Sequence, residues 1–414
     1  MPPDLVMVTG ADPASGAGGL ASYVVAHARA AVRAGYAPQI FCVGRGTRAV
    51  EHDFGVVRHV RIPHRTVRGA KAALYAPFLA RAIAAHATPR DGVVIHAFGP
   101  YGYAGARARV ALARSGTTSA LATSAYTTLG HEHAAFLAGL RREDGVRAAL
   151  HYAGRAAVVA AVGARAERTG YRESTLVLVN YESVRRLLAD LGVSAPVRVI
   201  PYAPATAFTG PGAPCERLGP DDLPLVVSIA RHDARKGVDV LLRALAMLRD
   251  RGLAFRACLV GPGELLAAHR RLARRLRLEG LVELPGRVDD VVPYLRAASV
   301  FVLPSLCESS GSLALIEALQ QGVPVVATDC DGIPEDVGDD DSALLVPPRD
   351  VAALACAVGR VLGDPALRDR LAAGSARRFA ERFSGESLTS TLGALYPELA
   401  ASAAGRVSAS SSRS

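Results

Sequence analysis

Only two of the 48 basic residues in this chain are lysines, Lys71 and Lys236, so a lysine here asks for a local reason. Lys236 falls with Arg231 in Ser228-Ile-Ala-Arg-His-Asp-Ala-Arg-Lys-Gly237, behind a short apolar run and ahead of an amphipathic one. Two cations at the carboxyl end of a strand can neutralise a diphosphate. Arg235 in the same loop reads as a solvated surface charge. A second stretch, Pro304-Ser-Leu-Cys-Glu308-Ser-Ser-Gly-Ser-Leu-Ala-Leu-Ile-Glu317, joins a strand through small residues to a helix starting near Ser312. The N–H groups of such a helix start can hold phosphate oxygens. Glu308 and Glu317 would repel a phosphate if they faced it, so they must accept hydrogen bonds from hydroxyls such as those of a sugar or a ribose. Either glutamate alone reads as an ordinary charge at a helix edge, a reading much weaker for both together.

Two stretches nearer the N-terminus carry weaker signals. Thr9-Gly-Ala-Asp-Pro-Ala-Ser-Gly-Ala-Gly-Gly19 follows a strand and opens a helix, and its glycines let a backbone approach a ligand closely. It lacks the Gly-Lys-Ser/Thr of a phosphate-binding loop and the spacing of the dinucleotide fingerprint, so a plain strand–helix turn explains it as well. Thr127-Thr-Leu-Gly-His131-Glu-His133 is read as a loop after strand 118–123. It is too short for the two-histidine zinc motif and no third ligand is evident, so a polar group near a reacting substrate is the better reading. Whichever imidazole points away is then structural, as is His96 at the end of its strand.

These residues need a scaffold, and the chain supplies one. Short β-branched runs alternate with amphipathic stretches, the rhythm of parallel sheets covered by helices. Strands are expected at 4–9, 39–43, 56–62, 92–97, 118–123, 157–162, 175–180 and 197–200, and helices at 19–34, 69–87, 101–114, 133–153 and 181–191. The rhythm restarts with strands near 225–230, 254–260, 281–284, 299–303, 323–328 and 343–346. Between the two series lies a segment from Pro201 to Pro224 that prolines exclude from either sheet. Residues 1–202 are therefore expected to form one α/β domain, 203–223 a linker and 224–384 a second domain. A last helix at 385–402 follows, and the small polar residues 403–414 read as a disordered tail. Two open α/β domains in tandem are expected to face each other across a cleft, with ligands at the carboxyl ends of strands.

Charge is uneven: residues 1–205 hold 24 basic and 12 acidic residues, leaving 24 and 26 for the remainder. A basic half suits an anionic partner, although scattered charges more often only solvate a surface. Nucleic acid is disfavoured because arginines are not interleaved with aromatics, which make up 5% of the chain. Six cysteines without metal-ligand spacing fit reduced thiols in a cytoplasmic protein, and no bound metal is expected. No apolar run approaches the ~20 residues of a membrane helix, and the N-terminus lacks the basic-then-apolar order of an export leader.

Taken in order, the chain resembles the retaining glycosyltransferases of family 4, which have the GT-B fold of two Rossmann-like domains. The resemblance lies in the Gly-Gly loop, Leu176-Val-Leu-Val-Asn-Tyr-Glu-Ser-Val-Arg-Arg, Ile200-Pro, Ser228-Ile-Ala-Arg with Lys-Gly, and Val260-Gly-Pro-Gly. It continues in Pro285-Gly-Arg-Val, Phe301-Val-Leu-Pro-Ser, the paired glutamates and Gly332-Ile-Pro-Glu335. It implies a nucleoside-diphosphate sugar, read as UDP-linked, held mainly by the second domain, and a hydroxyl-bearing acceptor held mainly by the first, with no other cofactor. Arg231 and Lys236 would then bind the diphosphate with help from Gly311, Ser312 and Leu313. Glu317 would clasp the ribose, Glu308 the transferred sugar, Arg287 and Val288 would flank the base, and Gly18 and Gly19 would close over the diphosphate. His131 or His133 would take the active-site histidine role, and the last helix would return to the first domain. The chain departs from the family in enclosing eight rather than seven residues between its glutamates, so that Ser309 or Ser310 looks inserted, and in the late position of its histidines. The wording around Glu308 and Glu335 leans toward the branch that builds aminoglycoside antibiotics, with a cyclitol acceptor. The alternatives are a GT-B nucleotide-sugar epimerase, which needs acid/base carboxylates where the first domain offers only Glu132, and transfer to a lipid acceptor at a membrane surface.

Overall fold

The computed structural model describes residues 3–15, 19–62, 70–87, 92–139, 146–204, 223–308, 311–338, 341–383 and 385–411. The chain forms two compact units, one of residues 1–133, 154–206 and 384–414, the other of residues 134–153 and 207–383. The unbroken first domain read from the sequence thus loses residues 134–153 to the second unit. Most of the expected linker, residues 205–222, lies outside the described residues.

The first series of elements runs β1 (Leu5–Val8), α1 (Gly19–Arg33), β2 (Gln39–Gly44), β3 (Arg48–His52), β4 (Gly55–Arg61), α2 (Lys71–His86), β5 (Val93–Phe98) and α3 (Gly102–Arg114). It continues with β6 (Ser119–Ala125), α4 (Leu129–Gly139), α5 (Val146–Val158), α6 (Ala164–Arg172), β7 (Leu176–Val179), α7 (Glu182–Asp190) and β8 (Val197–Val199). The sheet has the order β3-β4-β2-β1-β5-β6-β7-β8, parallel except that β3 runs antiparallel to β4. β3 carries Arg48, Glu51 and His52 on a largely exposed edge, so it shows no alternation in the sequence. β5 is buried throughout. His96 within it has Nδ1 3.0 Å from the Tyr396 hydroxyl and Nε2 2.8 Å from the Ser124 hydroxyl, a structural histidine.

Two expectations fail in this series. The strand expected at 157–162 is helical: α5 passes through a π-turn at Val159–Gly163 into α6. The run is half alanine, the best helix former, and Ala160, Ala161 and Val162 are exposed, whereas a strand there would have to be buried on both faces. The helix expected over 133–153 is two helices, α4 and α5.

The second series runs β9 (Leu225–Ile229), α8 (Val238–Asp250), β10 (Arg256–Val260), α9 (Leu266–Arg275), β11 (Val282–Gly286), α10 (Val292–Ala297), β12 (Val300–Leu303) and α11 (Leu313–Gln320). Then follow β13 (Val325–Thr328), α12 (Ile333–Val337), β14 (Ala343–Val346), α13 (Val351–Gly363), α14 (Pro365–Arg382) and α15 (Gly385–Ser411). The sheet order is β11-β10-β9-β12-β13-β14, all parallel, which is the Rossmann order. Its core is built as the periodicity requires. Val238, Leu241, Leu242, Leu245 and Leu248 of α8 are all buried against the sheet, each contributing about 1.5–3 kcal/mol by leaving water.

The tail read from residue 403 onward is helical through Ser411, because α15 continues. Once a helix is nucleated, each further residue gains a hydrogen bond, and alanines and serines do not interrupt it. Among the described residues no helix is long and apolar enough to cross a membrane.

Candidate functional site

Strand order in the second unit reverses between β9 and β12, which separates the backbones leaving their carboxyl ends and opens a crevice there. Both cation-bearing and carboxylate-bearing loops leave from this point. They meet backbone to backbone: Gly237 has φ 59°, and a Cβ on it would lie 2.0 Å from the Pro304 carbonyl oxygen. Only glycine satisfies both demands. The Leu306 N–H also donates to the Arg235 carbonyl at 2.6 Å, tying one loop to the other.

Lys236 and Glu308 come together across 72 residues of chain, Nζ to Oε1 at 2.5 Å, with side chains 13% and 3% exposed. The Ser305 hydroxyl donates to the same carboxylate oxygen, and the Glu308 N–H donates to Asp331 Oδ2 at 2.8 Å. A lysine and a glutamate read separately as binding phosphate and sugar are therefore one buried pair. A ligand using either group has to share it with the other.

Arg231 stands more open, its side chain 62% exposed, with Nη2 3.6 Å from Glu264 Oε2 and Nε 3.8 Å from Asp233 Oδ2. Glu264, which follows Gly261-Pro-Gly263 after β10, also accepts the Tyr152 hydroxyl at 2.5 Å. Arg235 is not the surface charge it resembled. Its side chain is only 14% exposed, reaches Asp233 Oδ2 at 3.4 Å and lies over the Phe136 ring at 4.3 Å. Phe136 and Tyr152 thus brace the arginines of the β9 loop, a role that sequence order conceals. Glu264 has a signal in its place behind Gly-Pro-Gly; Tyr152 has none.

The helix start after β12 is arranged for an anion. Gly311 has φ 79°, Ser312 takes the extended conformation of an N-cap, and its side chain makes no capping hydrogen bond. The first N–H groups of α11, from Leu313 on, therefore lack that partner. Glu317 lies half-buried in this helix, and burial pushes its carboxyl up to about 7. Arg287 and Val288 follow β11, two strands from β9 and hence about 10 Å along the sheet edge, farther than phosphates reach but within the span of a nucleotide base. Arg287 is exposed and Val288 half-buried.

In the first unit, His131 and His133 occupy the first turns of α4 rather than a loop. The Thr128 hydroxyl accepts the His131 N–H at 3.1 Å, an N-cap that begins the helix. His133 is 3% exposed, with Nδ1 2.8 Å from the Leu129 carbonyl, whereas His131 is half-buried. Gly19 begins α1. Gly18, Ser309 and Ser310 lie outside the described residues. Elsewhere in this unit Asp12, Cys42 and His59 bring potential metal-ligand atoms within 4.8 Å of one another. His59, however, presents Nδ1 to the thiol at 3.8 Å and Nε2 to Asp12 at 3.5 Å, so the three do not converge on one point. Burial also pushes the Cys42 thiol up to about 12.

The chain is similar to known proteins in sequence and in fold. The family model described as Glycosyltransferase Family 4 matches residues 17–203, and the one described as Glycosyl transferases group 1 matches residues 223–364. The chain is 32% identical over 224 residues to the lipopolysaccharide core biosynthesis glycosyltransferase LpsE of Rhizobium meliloti, covering 53% of this chain and 63% of that protein. It is 31% identical over 191 residues to the alpha-D-kanosaminyltransferase of Streptomyces kanamyceticus, covering 44% and 48% respectively. It thus spans less than two thirds of the length of either. Among solved structures, sucrose-phosphate synthase from Thermosynechococcus elongatus superposes over 97% of this chain and all of that one, with a TM-score of 0.75 and 23% identity. Anabaena HepE, in complex with UDP and glucose, covers 94% of this chain and 98% of its own, with a TM-score of 0.68 and 19% identity. Such likenesses show the fold. The chain is therefore similar to the family 4 glycosyltransferases, with a Glycosyltransferase Family 4 domain followed by a Glycosyl transferases group 1 domain on two Rossmann-like units of the GT-B fold.

Proposed function

We propose that this protein transfers a sugar from a nucleoside-diphosphate sugar, UDP-linked, to a hydroxyl of a small acceptor such as a cyclitol, with retention of anomeric configuration and in the cytoplasm. The observation carrying this reading is that the loop bearing Arg231 and Lys236 and the loop leading into α11 both leave the sheet at the strand-order reversal, with Lys236 paired to Glu308 and Glu317 carried by α11. Breaking the bond between sugar carbon and phosphate places charge on the departing diphosphate. Two cations and a helix start stabilise that charge where it grows. Retention follows if the acceptor attacks from the leaving-group side and passes its proton to a phosphate oxygen, which requires no protein nucleophile. His131 is assigned a polar contact to the reacting sugar. HepE, with its UDP and glucose, supports the donor class, and the kanosaminyltransferase, named for the sugar it transfers, supports transfer of a glycosyl group.

A panel of nucleoside-diphosphate sugars tested for protection against thermal unfolding checks the donor, since a ligand bound only by the folded state raises its stability. Absence of protection by every nucleotide sugar would overturn the reading. Because the positive charge comes from side chains and a helix start, turnover is expected to survive exhaustive chelation. Complete loss restored by Mg²⁺ or Mn²⁺ would show that a metal does this work.

Glu317 offers a sharper test. As a ribose ligand it must be ionised, yet burial holds its carboxyl at about 7 in the free protein. Nucleotide affinity should therefore fall about tenfold per pH unit below 7, because binding must first expel a proton, and level off above 7. Glu317→Ala should weaken nucleoside diphosphate binding by about 1.5–3 kcal/mol and abolish this pH dependence, with a smaller effect on turnover at saturating donor. Calorimetric titration from pH 5.5 to 8.5 reads both. Unchanged affinity in a folded Glu317→Ala variant would remove the ribose assignment and show that the extra residue after Glu308 has turned the helix.

A further inference from the structure

Glu167 is 3% exposed in the first turn of α6, and nothing in its setting of Ala-Arg-Ala-Glu-Arg distinguishes it from a solvated helix charge. Both of its carboxyl oxygens are engaged. Oε2 accepts the Leu129 N–H at 2.9 Å, and Oε1 accepts the Tyr171 hydroxyl at 3.2 Å. Leu129 is the first residue of α4, and its N–H is one of the four that a helix cannot satisfy internally. The buried Tyr171 hydroxyl also lies 3.3 Å from the Thr127 carbonyl, immediately before that helix. A cavity of about 220 Å³, lined by Thr128, Gly130, Glu167 and residues of α6, adjoins the same turn. Hydrogen bonds therefore tie the start of α4 to α6 beside this cavity.

We propose that Glu167 is a positioning residue for sugar transfer, fixing the first turn of α4 and with it the orientation of the His131 imidazole. This inference rests on the role given to His131 above. A hydroxyl has one proton, so Tyr171 donates either to Glu167 or to the Thr127 carbonyl. When Glu167 is protonated, its O–H donates to the Tyr171 oxygen, and the Tyr171 proton turns to Thr127, closing a chain from α6 to the residue that precedes the helix. When Glu167 is ionised, Tyr171 donates to it and Thr127 is released. Burial pushes the Glu167 carboxyl up to about 8; the Leu129 and Tyr171 hydrogen bonds oppose this, and Glu132 adds to it. The exposed Arg165 and Arg168 line the cavity from α6. The closed chain is therefore the form present at neutral pH.

Three variants of the full chain test this by initial rates at saturating donor. Glu167→Ala removes both links and should lower turnover at least tenfold, with the KM for donor changed less than twofold. Glu167→Gln accepts from Leu129 and donates to Tyr171, so it should restore turnover. It should also abolish the fall in turnover above pH 8 expected of the wild type. Tyr171→Phe keeps the Leu129 bond and should lose severalfold, which covers the case in which Glu167→Ala does not fold. A second readout is independent of transfer: the His131 ring resonance of histidine-labelled protein, assigned by its absence from His131→Gln, should shift in Glu167→Ala or Tyr171→Phe. An unmoved resonance, or wild-type turnover in both variants, overturns the proposal. If the wild type transfers no sugar from any donor, the function proposed above fails and the resonance alone decides the role of Glu167.

Discussion

Lys236→Ala is expected to lower turnover by roughly a thousandfold, the scale of losing a charged stabiliser of a transition state in a dry site. The diphosphate gains negative charge as the glycosidic bond breaks, so the missing cation costs more at the transition state than in the bound complex. Turnover must then fall further than affinity. The structure adds a complication, because Lys236 is also the counter-ion of the buried Glu308. Removing one partner of such a pair typically costs about 3–5 kcal/mol of stability, and this could be mistaken for a catalytic defect. The double variant Lys236→Ala with Glu308→Ala separates the two. It leaves no unpaired charge, so its melting temperature should recover most of the loss, whereas its turnover should not. Melting curves and initial rates on the two proteins decide the matter. A single variant retaining more than about a tenth of wild-type turnover would show that Lys236 serves the pair and not the phosphate.

His131→Ala is expected to lower turnover about a hundredfold, as for the loss of a polar stabiliser, and to leave nucleoside diphosphate affinity unchanged because the donor's nucleotide is assigned to the other unit. His133→Ala should behave differently. Its ring is buried and its Nδ1 is engaged by the Leu129 carbonyl, so truncation should remove packing and a hydrogen bond, costing about 1–3 kcal/mol of stability. Its turnover should remain within a few-fold of wild type below the melting temperature. Rates and thermal melts on both single variants suffice. If His133→Ala loses the turnover and His131→Ala keeps it, the roles are exchanged; if both keep it, the start of α4 takes no part in the reaction.

Features that depend on local residues are legible in the amino-acid order. Alternation of β-branched and amphipathic runs placed nearly every strand of both sheets, and the stripe on α8 is buried as its spacing requires. Glycines beside rare or charged residues marked the β9 and β12 loops, because a backbone turn and its exposed chemistry are written within a few adjacent positions. Where local preference is ambiguous, as in the alanine and valine run at 156–164, the fold has helix in place of the expected strand. The partnerships, by contrast, arise from contacts between distant parts of the chain. The pairing of Lys236 with Glu308 depends on the order in which strands enter the sheet, which no window of sequence contains. The bracing of the β9-loop arginines by Phe136 and Tyr152, through Glu264, depends on parts of two helices belonging to a different unit from the one that their place in the chain suggested. The burial of Glu167 under the start of α4 is of the same kind. A side chain's chemistry is local, but its partner and its distance from water are set by residues far along the chain. The sequence therefore names the groups, and the fold sets what each of them faces.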